Sequence, residues 1–125
     1  MALNSKRNLK IRVAIIGGGF DSTIAQTHFR AILATNKYEI KCGCFTKKVF
    51  KNKKNSEFYS LPKFKIYNKV NDLIFAEKKN IDLAIILTPP IERNKIYSKL
   101  AKNNIGIISE KPFEANFNKA KKIFK

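Results

Sequence analysis

The 125-residue chain reads as an α/β domain built on a doubly wound parallel sheet, and three observations predict it. Strand-like and helix-like hydrophobic patterns alternate along nearly the whole length, as they do where helical crossovers join neighbouring parallel strands. Two strand-like runs, residues 11–16 and 82–87, are almost continuously apolar, which is expected of strands covered by helices on both faces. The first of these runs breaks into Gly17-Gly18-Gly19 and passes at once into a helical pattern.

The elements follow in order. Residues 11–16 form a strand interrupted only by Arg12, and residues 21–35 a helix with Ile24, His28, Ala31 and Ile32 on one face. Residues 39–45 are a second strand. A lysine-rich stretch comes next, with a short helix near residues 56–60, and residues 65–67 supply a short third strand. Residues 68–79 place Val70, Leu73, Ile74 and Glu77 at helical spacing. Residues 82–87 are a fourth strand closed by Thr88, Pro89 and Pro90, and residues 91–102 a helix with Ile96, Leu100 and Ala101 inward. A fifth strand at 105–108 and an amphipathic helix at 115–124 complete the chain. Right-handed crossovers arrange five such strands in the order 3-2-1-4-5. The chain then reverses direction between strands 1 and 4, leaving a crevice at their C-terminal ends, bordered by the glycine turn and the Thr88-Pro89-Pro90 turn.

Composition bounds the function classes. The length fits one domain. There is no apolar run of about 18 residues that could span a bilayer, and the start M-A-L-N-S-K-R-N-L-K lacks the apolar core of a secretory signal, so a cytoplasmic protein is expected. Cys42 and Cys44 are the only cysteines. Their spacing puts both on one face of the second strand, and with a single histidine they are too few for a metal centre, so they read as small buried residues in a reducing compartment. The 26 Lys+Arg against 9 Asp+Glu give a net charge of +17, which raises a nucleic-acid partner as one reading. The lysines are scattered from end to end, however, and only residues 47–54 are dense in them.

The glycine turn carries the chemistry. Glycines let the backbone turn tightly and approach a ligand, and the N-terminus of the next helix offers unpaired N–H groups and a partial positive charge, together a receptacle for a pyrophosphate. Gly17 and Gly19 fill the first two positions of G-x-G-x-x-G, and Ser22 stands at the third. Gly17, Gly18, Gly19, Phe20, Asp21 and Ser22 are therefore candidate cofactor-binding residues, with Thr88 and Pro89 across the crevice. No G-K-[S/T] follows the glycines, which disfavours a P-loop nucleotidase.

Read together, G-G-G-F-D-S-T-I-A-Q-T-H at residues 17–28, Thr88-Pro89, and the last strand leading into Glu110-Lys111-Pro112 are similar to the N-terminal cofactor domain of the glucose-fructose oxidoreductase, inositol dehydrogenase and MocA family of NAD(P)-dependent oxidoreductases. The resemblance covers nearly the whole chain and implies a Rossmann-type domain serving hydride transfer on a sugar, polyol or related hydroxy compound. It further implies that Glu110 accepts hydrogen bonds from the nicotinamide ribose, and that Lys111, the one catalytic candidate, orients the reacting oxygen and stabilises its developing charge. Pro90 and Arg93 stand where many members carry asparagine and histidine, and Ala25 replaces a frequent glycine. His28 matches a family histidine but reads as a packing residue.

An NAD-preferring domain usually ends its second strand with an acid for the adenosine ribose. None occurs between Glu39 and Glu57. Thr46 and Lys47 stand there instead, as a ribose partner and a partner for a 2′-phosphate, so the cofactor is NAD or NADP with a lean toward NADP. Family members place an antiparallel-sheet substrate domain after this one. The chain is accordingly expected to be the cofactor half of such an oxidoreductase, from a truncated or split gene, catalytically incomplete by itself and with the strand at 105–108 at the sheet edge. A non-catalytic NAD(P)- or adenine-nucleotide-binding module is the alternative, and a basic nucleic-acid-binding protein a less favoured one.

Overall fold

The computed structural model describes residues 9–45 and 48–109. Strands β1 (Ile11–Ile16), β2 (Tyr38–Cys44), β3 (Leu83–Ile86) and β4 (Gly106–Ser109) form a parallel sheet in the order β2-β1-β3-β4. Helices α1 (Thr23–Thr35), α2 (Asn52–Tyr59), α3 (Val70–Glu77) and α4 (Pro90–Lys102) connect them. Local chemistry sets several boundaries. The Ser22 hydroxyl accepts the Ala25 N–H at 3.2 Å and caps α1, whose far end closes at Asn36 in the left-handed region, φ 54°. Pro90 begins α4, where a missing N–H costs nothing.

Successive residues of β1 and β3 point to opposite faces, and each face has its own core. Val13, Ile15 and Ile85 pack with Ala25 and Ile32 of α1 and Tyr59 of α2. Ala14, Ile16, Ala84 and Ile86 pack with Leu73 and Ile74 of α3 and Ile96, Tyr97 and Leu100 of α4. Burial on both sides is why β1 and β3 read as unbroken apolar runs. Arg12, the one interruption, is half-buried at the opposite end from the glycines. Its guanidinium meets the Asp82 carboxylate at 2.9 and 3.2 Å, tying the starts of β1 and β3. Cys42 and Cys44 lie together in the α3/α4 core, buried and unpaired with each other, and burial pushes their thiols up to about 12 and about 11. No helix among the described residues is long and apolar enough to cross a membrane.

The structure departs from expectation at four elements. The third strand expected at residues 65–67 is not a strand. Lys63–Lys65 is a 3-10 turn after Pro62, and Ile66 makes a single parallel bridge to Gly43. It lies beside β2, where a third strand belongs, but Lys65 and Tyr67 turn to Glu77, so the described sheet has four strands. The expected fourth and fifth strands are β3 and β4. On α1 the inward stripe runs through Ala25, Phe29 and Ile32, while Ile24 is 47% exposed and Ala31 is exposed. The reason is the partner: Phe29 packs on the rings of Phe58 and Tyr59 at centroid distances of 4.9 and 5.3 Å. On α4, Tyr97 is buried and Ala101 exposed. The short helix near 56–60 begins earlier, at Asn52. The helix expected at 115–124 lies outside the described residues.

Glu77 faces inward on α3 as its spacing predicts, and at 1% exposure it is a buried charge that must be compensated. Lys65 Nζ reaches its two oxygens at 3.0 and 3.1 Å, the Tyr67 hydroxyl donates at 2.5 Å, and Asn80 Nδ2 at 3.3 Å. Burial acts to raise the carboxyl, but the hydrogen bonds from Tyr67, Lys65 and Asn80 outweigh it and hold the group below the usual glutamate range. A folded-state value below the unfolded one of about 4.3 adds stability at neutral pH that is lost as the pH falls through the folded value. Glu77→Gln is expected to cost about 1–3 kcal/mol at pH 7 in urea unfolding, and the gap from the unsubstituted protein should narrow on acidification below about pH 4.

Candidate functional site

Ile16 pairs in register with both Cys44 and Ile86, and Ile86 with Ser109, so all four strands end on one rim. At that rim Gly17 and Gly18 leave β1 with φ of +79° and +68°, a region that L side chains rarely adopt. Space forbids a side chain as well. A Cβ on Gly17 would stand 2.7 Å from the Thr88 N and 2.8 Å from Thr88 Cγ2, and one on Gly18 would stand 2.5 Å from Leu87 Cδ1. The glycine turn and the turn after β3 are thus in contact, joined further by the Leu87 N–H to Ile16 carbonyl bond at 2.8 Å. The expected meeting of these two segments at the switch between β1 and β3 is observed.

The remaining turn residues have defined tasks. The Phe20 N–H donates to Asn55 Oδ1 at 2.8 Å, and the Asp21 carboxylate faces Lys51 Nζ at 3.2 Å. That Lys51 hydrogen bond, with the residue's own backbone N–H, holds the Asp21 carboxyl below the usual range. The Ser22 N–H donates to the Gly19 carbonyl at 3.0 Å while the Ser22 side chain caps α1, so the third motif position is filled by a helix cap. Thr88 Oγ1 is buried and has no hydrogen-bond partner among the described residues, and the Thr88 carbonyl accepts from Arg93 Nε at 2.7 Å. Arg93, a departure from the family pattern, is 3% exposed and reaches back to fix this turn. Pro89 is exposed and immediately precedes α4.

Between these strand ends, the start of α3 and Ile96 and Lys99 of α4 lies an open crevice of about 620 Å³. Its floor is Ile16, Cys44 and Phe45, its wall Thr88, and its rim carries Lys48, Lys69 and Lys99, with no carboxylate in the described lining. An apolar floor under a cationic rim suits a flat heterocycle joined to anions. Main chain free of side chains at Gly17 and Gly18 leaves room for a ligand to lie close, and the Thr88 hydroxyl, without a partner among the described residues, suits a hydrogen-bonding one. Thr46 and Lys47 lie outside the described residues, as do Glu110, Lys111 and Pro112.

Sequence reasoning expected a short helix here but missed the part α2 plays at the glycine turn. Lys51, Asn55 and Tyr59 recur at a spacing of four, and this face closes on the glycine turn: Tyr59 donates its hydroxyl to the Gly18 carbonyl at 2.6 Å, and Lys54 Nζ sits 5.4 Å from the Phe20 ring centre. The ring of Tyr59 stacks on Phe45 at 4.7 Å, and burial pushes its hydroxyl above its ordinary range. The spacing was a signal for one helical face; nothing local revealed its target.

The parallel order, the glycine turn and the crevice at the strand switch define a Rossmann-type nucleotide domain. The chain belongs to the oxidoreductase family with an NAD-binding Rossmann fold that is named for glucose-fructose oxidoreductase, inositol dehydrogenase and MocA, whose family model matches residues 11–125. Among solved structures it is similar to an oxidoreductase from Sinorhizobium meliloti, with 24% identity and a TM-score of 0.83 over 93% of this chain and 33% of that one. An inositol dehydrogenase homolog from Azotobacter vinelandii complexed with NAD+ matches at 20% identity and TM-score 0.84, over 92% and 30%. The WlbA dehydrogenase from Bordetella pertussis in complex with NADH and UDP-GlcNAcA matches at 20% and 0.77, over 93% and 33%. The chain thus spans about a third of the length of these structures. No curated protein matches the chain.

Gly17→Ala is expected to destabilise the protein by more than about 1 kcal/mol, from the positive φ and the clash with Thr88. Gly106→Ala, whose Cβ would meet only ordinary contacts from 3.4 Å outward, should stay within about 0.5 kcal/mol. Chemical denaturation of the two variants measures the contrast.

Proposed function

We propose that this chain binds NAD(H) across the rim of its sheet and serves as the cofactor domain of an enzyme that transfers hydride to or from a sugar, polyol or related hydroxy compound. The observation that carries the reading is the close contact of side-chain-free Gly17 with Thr88 at the strand switch, beside a lysine-rimmed crevice. In this reading the turn from Gly17 to Ser22 holds the pyrophosphate, Thr46 the adenosine ribose, and Thr88 and Pro89 the wall beside the dinucleotide. NAD+ supplies the hydride acceptor. Glu110 accepts hydrogen bonds from the nicotinamide ribose, and Lys111 orients the substrate oxygen and stabilises the charge that develops on it.

The cofactor proposed is NAD(H). The lean toward NADP rested on Lys47, and the relatives in complex carry NAD+ or NADH. One of them is an inositol dehydrogenase homolog with NADH and myo-inositol, and another holds UDP-GlcNAcA, which supports the hydroxy-compound class for the whole enzyme. Because this chain covers about a third of such proteins, binding is proposed for the chain and turnover for the enzyme that contains it.

Calorimetric titration at several salt concentrations tests the assignment. NAD+ is expected to bind more tightly than NADP+ with a shallow salt dependence, and Gly17→Ala to weaken it at least about tenfold, since close approach of phosphate to backbone is lost. RNA binding with a steep salt slope, indifferent to Gly17→Ala, would overturn the reading.

A further inference from the structure

We propose that Tyr59 and Asn55 of α2 are positioning residues that pin Gly19 from behind and so aim its N–H away from α2, as a donor for the pyrophosphate. This rests on the NAD(H) reading above. Asn55 is 1% exposed, and neither residue is among those lining the crevice. Their hydrogen bonds at 2.6 and 2.8 Å both go to the glycine turn.

The two contacts fall on the two peptide planes that meet at Gly19. The Tyr59 hydroxyl holds the Gly18 carbonyl at 2.6 Å, and Asn55 Oδ1 holds the Phe20 N–H at 2.8 Å. A trans peptide is planar, with its carbonyl and N–H pointing in opposite directions. Drawing the Gly18 carbonyl toward α2 therefore turns the Gly19 N–H the other way. Helices α1 and α2 cover one face of the sheet and α3 and α4 the other, where the crevice opens. In the second plane, the Phe20 N–H faces α2 and the Gly19 carbonyl turns away from it to accept the Ser22 N–H at 3.0 Å. A Cβ on Gly19 would lie 2.8 Å from Asn55 Oδ1, so a side chain there would push against this anchor.

Asparagine is otherwise a poor choice here. It is a weak helix former, and burying its amide without partners costs stability. Its recompense is an N–H that precedes the helix and is met by a side chain.

The test compares NAD+, ADP and adenosine binding to the chain and to Tyr59→Phe and Asn55→Ala, with amide hydrogen exchange at Phe20. Tyr59→Phe keeps the ring stacked on Phe45 and removes only the hydroxyl. Each variant is expected to weaken NAD+ and ADP by about three- to tenfold, the range of one lost hydrogen bond, and adenosine by less than about twofold, since it has no phosphate. Asn55→Ala should also speed exchange at Phe20. Equal losses for adenosine and ADP, or no loss at all, would overturn the proposal, and Tyr59→Phe decides it should Asn55→Ala fail to fold. If the unsubstituted chain binds none of the three ligands, the NAD(H) reading falls. Faster Phe20 exchange in Asn55→Ala would then still uphold the pinning of the turn, and unchanged exchange would overturn it.

Discussion

The architecture turns on the contact between Gly17 and Thr88. β1 and β3 lie side by side, so the segments leaving them must pass one another at the same rim, and the backbone at Gly17 comes so near Thr88 that any side chain would stand within 3 Å of it. Close passage exposes main chain at a place where the sheet has helices behind and beside it. Arg93 holds the far turn by its carbonyl, and Tyr59 holds the near one by another, so two loops are kept together by groups drawn from both helical layers.

Around that contact the two cores divide the labour. One face packs aromatic rings, Phe29, Phe45, Phe58 and Tyr59, between α1, α2 and the sheet. The other is aliphatic apart from Tyr97, Tyr67 at its edge and the two cysteines, and it is closed at its margin by the Glu77 cluster. There a single carboxylate organises a lysine and a tyrosine from residues 65–67 and an asparagine just beyond α3. It also explains why residues 65–67 remain a turn and a bridge: their polar ends are committed to Glu77 rather than to a longer ladder.

A net charge of +17 has little meaning until its distribution is known. Lysines on the rim of the crevice, with no carboxylate in its described lining, make this the place where the excess has local consequence.

Hydrophobic period, glycine position and chain order determined the alternating elements, the neighbouring of β1 and β3, and the turn that stands at their ends, because each of these follows from local geometry and the handedness of crossovers. Glu77 was legible as an inward residue, but its partners Lys65 and Tyr67 were not, since the pairing depends on where a 3-10 turn comes to rest. The face of α1 was misread by about one residue, because Ile24 and Ala25 both suit a buried stripe and only the rings of α2 select between them. Asn55, Tyr59 and Arg93 were invisible as site residues for the same reason. What a side chain does across many residues of sequence is decided by which backbone groups the packed helices bring before it, and that becomes fixed only when the layers close on the sheet.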